Sequence, residues 1–361
     1  MSTSSDFPLL KLPTLALEVV TSQMNFGNIL DLSLSSKIFH SRLTALKFTI
    51  DSVEWILTRN HIGVTINSGF RAWEIRIESD SALKLEHKKL NGSPVSLAKY
   101  DCPFGATYWY LISENSDFDS KLKTLENLTE FLMIFLRCKR FELRYSLKQN
   151  LLSPDFFIWK YKKIKKWNSL SITGNHLHPL IMTPEDLHFL IDDLKSEKLT
   201  LDIKVTDPYF KYQGKLEVKE LRVGDNRNNW LDLGSFCLNC AKINLTSSSE
   251  HLKPVNQVLK NWIQSKSLEI LEHLAISKKE DIDSAKVLRG IECQETRFSI
   301  SDFVQRLGLI YMGSVFRDIQ REFDGRWGTV IINRKCLDFI VWTPEKLKRC
   351  CKETRVKFGY E

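Results

Sequence analysis

The chain has 361 residues, of which 43% are hydrophobic and 27% charged, and no low-complexity tract. That excludes extended disorder and leaves enough length for one large domain or two to three ordinary ones with complete cores. The net charge of +8 is held unevenly, mostly in "KYKKIKKW" from Lys160 and in the tail "EKLKRCCKETRVKFGYE", so it does not describe a uniformly basic nucleic-acid binder.

Residues 1–6 read as a polar tail. "MSTSSDF" has no basic residue, and the apolar run after it is broken by Pro8, Lys11 and Pro13, so no secretory signal is expected. From Phe7 to Leu46 apolar residues recur at helical spacing, with Leu17, Val20 and Met24 followed by Ile29, Leu30, Leu32 and Leu34 and then Ile38 and Phe39. Three short helices are expected. Pro13 suits a first helical turn, Asn25 an N-cap, and Gly27 and Ser35-Ser36 the corners.

After residue 46 the texture changes to alternation. Phe48/Ile50, Val64/Ile66 and Trp73/Ile75/Ile77 are separated by turn residues, which predicts a β-rich, antiparallel region over 47–115. Leu122, Leu125, Leu128, Leu132 and Phe135 then form the stripe of a helix from about Ser120 to Arg140. The apolar run from Phe131 is cut by Arg137, Lys139 and Arg140, so no membrane span is expected.

Short leucine-bearing strands follow at "FELRYSL" (141), "SLSI" (169), "KLTLDI" (198), "KELRV" (219), "KINLTS" (242) and "EHLAIS" (272). Their spacing predicts irregular strand–helix repeats over 120–300, similar to leucine-rich repeats but without the asparagine ladder. "TPEDLHFLIDDLKS", with Thr183 as N-cap and Pro184 at N1, and "LKPVNQVLKNWIQS" read as helical connectors. Over 315–343 an Asp324-Gly325 turn and a second turn near Asn333 mark a β-meander, which would cap the open end of the repeats. The expected fold class is α+β to α/β.

Motifs for chemistry are missing. There is no phosphate-binding glycine loop and no G-x-S-x-G elbow, and no histidine is placed beside a cysteine by the sequence. Cys237 and Cys240 form a C-x-x-C without two further ligands, and read as buried thiols in a helix before the strand at Lys242. His251 completes no zinc pattern, His176 and His178 read as solvent-facing, and "EDIDS" at 280 reads as helix-surface charge. Trp167, Trp230, Trp262, Trp327 and Trp342 are expected mostly in the core. Catalytic residues, metal ligands and cofactors are therefore assigned as none. Eight scattered cysteines make no disulfide framework, which fits a reducing, cytoplasmic or nuclear location.

Two stretches carry a family resemblance. "LPTLALEVVTSQMNFGNILDLSLSSKIF" from Leu12 resembles an F-box without a gap: a Leu-Pro opening, an apolar first helix, an "L-x-L-S-L"-like second helix, then Lys37 and the aromatic Phe39. It departs at Thr14-Leu15, where acidic residues are frequent, at Thr21, where an apolar one is usual, and at Ser36. "LKPVNQVLKNWIQSKSLEILEHLAI" and "VIINRKCLDFIVW" resemble the type 2 F-box-associated region of the nematode-type F-box family. The resemblance divides the chain into an F-box at 7–46 and a substrate-binding region at 47–361.

It also implies a non-catalytic subunit of an SCF-type E3 ubiquitin ligase. The F-box would dock a Skp-type adaptor, and through it a cullin-RING ligase, by Leu12, Pro13, Leu17, Val20, Met24, Ile29, Leu30 and Leu32. The remainder would capture an unnamed protein substrate, with Arg222, Asn244 and Thr246, strand residues between the leucines, as candidates. So small a helical unit cannot bury all its apolar residues within itself, which agrees with an interface of about 1,200–2,000 Å². Other readings stay open: residues 7–46 as a helical lid on the rest of the chain, a repeat-based binding protein outside any ligase acting on protein or, through "KYKKIKKW", on nucleic acid, and an enzyme. Nucleic acid and membrane are not the expected partners.

Overall fold

The structure is a computed structural model. It describes residues 9–357 apart from 47, 70, 80–84, 92, 102–106, 114, 116, 148–151, 175–178, 225–229, 232–238, 248–251, 265–267, 299–301 and 304–312. The polar tail, His176, His178, Cys237 and His251 lie outside the described residues. Among the described residues, three N-terminal helices precede seventeen strands in a mixed α/β arrangement. It divides into two compact units, one of residues 1–147 with 155–164 and one of 148–154 with 165–361.

The first unit opens with helices α1 (Thr14–Gln23), α2 (Phe26–Ser35) and α3 (Lys37–Leu46). Asn25 Oδ1 accepts from the Asn28 amide at 2.8 Å, the expected N-cap of α2. Pro13 is itself the N-cap of α1, one position earlier than a first-turn residue. The chain then forms β1 (Phe48–Thr58), β2 (Ile62–Ser68), β3 (Arg71–Glu78), β4 (Glu86–Leu90), β5 (Ser93–Asp101) and β6 (Thr107–Ile112). Helix α4 (Phe118–Phe135) leads directly into β7 (Leu136–Ser146).

The pairings give the order β4–β5–β6–β3–β2–β1–β7, antiparallel except for β3–β6 and β1–β7. The sheet is thus mixed, not wholly antiparallel as its alternation predicts. Register places Leu143, Trp55, Val64, Ile75 and Trp109 in one row across five strands, all buried. Glu142, Glu54, Thr65, Glu74 and Tyr108 line up on the opposite face. Helix α4 packs on the apolar face, where Trp55 Nε1 donates to Thr129 Oγ1 at 3.0 Å. Phe26 of α2 reaches the same face against Trp73, ring centroids 5.4 Å apart. The N-terminal helices therefore share a core with the β-rich region.

Two sequence expectations are corrected here. The helix from Ser120 ends at Phe135 instead of Arg140, because Leu136–Arg140 satisfy their backbone groups by pairing with β1 from Phe48 onward. For the same reason "FELRYSL" belongs to the first sheet instead of opening the repeat array.

The second unit carries β8 (Trp167–Thr173), β9 (Leu180–Met182), β10 (Ser196–Val205), β11 (Glu220–Val223), β12 (Lys242–Ser247) and β13 (His273–Lys278). Strands β8 and β9 pair with successive halves of β10, and β10, β11, β12 and β13 follow side by side, all parallel. The leucine-bearing strands lie side by side in this sheet. Leu170, Leu199, Leu221, Ile243 and Leu274 form one buried row, and Ile172, Leu201, Val223, Leu245 and Ile276 the next, in which only Leu245 is partly exposed. Connectors include α5 (Pro184–His188), capped by Thr183 and continued by one wide turn to Asp193, and α6 (Leu252–Ile263). "EDIDS" is loop rather than helix surface, with Asp283 as the N-cap of α7 (Ser284–Val287).

The meander comprises β15 (Val315–Gln320), β16 (Trp327–Ile332) and β17 (Cys336–Trp342), after the two-residue β14 (Gln294–Glu295). Strand β17 pairs antiparallel with β13, so the meander covers the last parallel edge. Gly325 turns at φ 69°, a left-handed conformation that disfavours a side chain. Trp167, Trp230, Trp262 and Trp342 are buried. No helix among the described residues is long and apolar enough to cross a membrane.

Candidate binding surfaces

Each unit presents one surface built from the residues selected in the sequence. In the first, α1 is tied down by Arg42 of α3, whose Nη1 donates to the Leu12 carbonyl at 2.7 Å. Leu17, Ile29 and Leu30 are almost fully buried within the chain, and Leu12, Val20, Met24 and Leu32 are half-buried. Pro13 is exposed. Three apolar residues outside the set assigned to docking are exposed as well: Leu15 is 74% exposed, Val19 59% and Ile38 63%. Leu15 and Val19 are four apart, so they share one stripe of α1 on the side away from Leu17. That spacing was the available sequence signal, hidden because the motif draws the eye to the buried positions.

In the second unit, the face of β8–β13 opposite the leucine rows is polar. Ser171, Thr200, Arg222, Asn244 and Ala275 occupy one register row, and Thr246 lies beside Ser277 two residues further along the same face. The three candidate substrate residues Arg222, Asn244 and Thr246 thus stand on one face of the strands. The Arg222 Nε and Nη2 both donate to Glu220 Oε1, at 2.9 and 2.8 Å. Lys198 approaches the other Glu220 oxygen at 3.7 Å. At the far side His273 Nε2 and Asp338 Oδ1 are 2.9 Å apart. The Arg222 side chain stays 60% exposed despite its ion pair with Glu220.

Lys163 donates to the Met133 carbonyl and Lys166 pairs with Glu197 at 2.9 Å. Cys240 is buried, but residues 239–241 are not helical, which corrects the expected helix there. Burial pushes its thiol up to about 11, and the Cys138 thiol likewise to about 11. Among the described residues no group of three His, Cys, Asp or Glu side chains is placed to hold a metal ion. No family model, no curated protein and no solved structure matches the chain.

Proposed function

We propose that the protein is a substrate-recognition subunit of a Skp-cullin-F-box ubiquitin ligase, with the N-terminal helices docking a Skp-type adaptor and the polar face of the parallel strands receiving a protein substrate. The observation that carries this reading is the apolar surface of α1 and α3. Leu17, Phe26, Ile29, Leu30, Leu34, Phe39 and Leu43 are buried in the chain, yet Leu15, Val19 and Ile38 remain in solvent, as does Pro13. A helical unit that already has a core gains nothing from holding these side chains in water, whereas a partner covering them would gain the burial of each. The resemblance of the same stretch to an F-box names the partner. Such a subunit needs no catalytic residue, because holding a substrate lysine near a charged ubiquitin carrier raises the effective concentration. A reducing intracellular compartment belongs to this reading.

Two variants of the full chain test it by co-precipitation with a Skp-type adaptor. Leu15→Asp/Val19→Asp removes the exposed apolar stripe without touching the core, and Leu12→Ala/Pro13→Ala alters the opening pair. Adaptor recovery is expected to fall at least tenfold in the first with an unchanged melting temperature; full recovery rejects the docking. The polar strand face would equally serve a binding protein outside any ligase, and the same pull-down decides between the two.

A further inference from the structure

A cavity of about 880 Å³ lies within the first unit, walled by α2 and α3, by β4 and the start of β5, and by Phe131 of α4. Five lysine and histidine side chains line it, Lys37, His40, His87, Lys88 and Lys89, together with Asn91, and among the described residues no carboxylate does. The nearest acids, Asp31 and Glu86, hold Lys88 at 3.0 and 3.1 Å. Lys88 also donates to Ser35 Oγ at 2.8 Å, so its role is to fasten β4 to α2. Lys37 and Lys89, which also line it, are both exposed and form no ion pair among the described residues. Ser33, 3% exposed, shares a hydrogen bond of 2.8 Å with His40 Nδ1. His40 in turn stacks on Phe131, ring centroids 4.4 Å apart. Leu34, Pro94 and Phe131 supply an apolar portion of the wall.

We propose that this cavity binds a phosphate monoester, its dianion held by Lys37 and Lys89 with hydrogen bonds from the Ser33–His40 pair, and its organic group laid against Phe131 and Leu34. A phosphate offers three terminal oxygens to donors arriving from several directions, and lysine serves such an ion as a point charge. A carboxylate is better served by a single guanidinium fork, which this wall lacks. The volume exceeds that of a bare phosphate and matches sites for small organic ligands, with apolar wall and few polar groups. Burial holds the His40 pKa below its ordinary value, so the ring stays a neutral hydrogen-bonding group near pH 7 and the charge comes from the lysines. Nothing in this site depends on adaptor docking.

The test is calorimetric titration of the full chain with phenyl phosphate, inorganic phosphate and benzoate. Phenyl phosphate is expected to bind saturably, at least tenfold more tightly than the other two, and more weakly as salt is added. Lys37→Gln/Lys89→Gln is expected to lower that affinity at least tenfold with the melting temperature unchanged. No saturable binding of phenyl phosphate, equal binding of benzoate, or affinity retained by the double variant overturns the proposal. A phosphotyrosine peptide binding more tightly than phenyl phosphate supports it with a protein side chain as the source of the ester; the reverse order supports it with a free small molecule.

Discussion

His40 lies under Phe131 and beside Phe135, ring centroids 4.4 and 5.7 Å away, and this burial lowers its pKa below 6.5. In the unfolded chain the same ring binds a proton as the pH falls through 6.5, while the folded chain resists until lower pH. The unfolded state therefore holds more protons over that window, and stability falls on acidification below about 6.5. Urea midpoints between pH 7.5 and 5.5 are expected to decline, and His40→Gln to decline less steeply; parallel curves would reject the assignment. At Cys240 the same desolvation acts on a thiol and raises its pKa to about 11. The thiolate is the reactive form, so Cys240 is expected to resist alkylation at pH 8 in the native protein and to react once the chain is unfolded in urea, read by mass spectrometry of its peptide.

Elements are placed by the apolar faces they must cover. Helix α6 carries Trp262, fully buried, onto Phe339 of β17 with ring centroids 4.9 Å apart. Since β17 pairs with β13, this one contact links a connector helix, the meander and the last parallel strand. Trp262→Ala is expected to cost about 3–5 kcal/mol, the usual loss for truncating a buried large aromatic, measured by urea unfolding. A loss below about 1 kcal/mol would mean that α6 is held by other contacts. The junction of α4 and β7 shows the opposite case, where helix propensity yields. Leu136 is extended at φ −82° and ψ 136°, and from there the backbone bonds to β1.

At the scale of the molecule, the proposed division of labour places adaptor docking on helices of one unit and substrate capture on strands of the other. Arg222→Glu reverses the charge at the middle of the polar row and, at an exposed position, leaves the leucine rows in place. Proximity labelling with ligase activity blocked is expected to retain the adaptor for Arg222→Glu and to lose the protein set captured by the unaltered chain. Loss of the adaptor as well would show that the two surfaces are not separate in function.

The sequence by itself determined what local pattern can encode. Periods of 3.6 and 2 gave the three N-terminal helices, most strands, the Asn25 and Thr183 caps and the meander with its Asp324-Gly325 turn. Alternation within the leucine-bearing stretches marked them as strands, and their parallel pairing is visible only in the structure. Partner choice and exposure came from the tertiary structure alone. Whether Leu136–Ser146 joins β1 or the repeats depends on a strand nearly ninety residues earlier, which no local window contains. Leu15 and Leu17 are equally apolar as letters, and only the packing of α1 puts one at 74% exposure and the other at 1%. The cationic cavity is of the same kind: Lys37 and Lys89 are ordinary surface lysines in the sequence, and become neighbours of one space because β4 folds back beside α2.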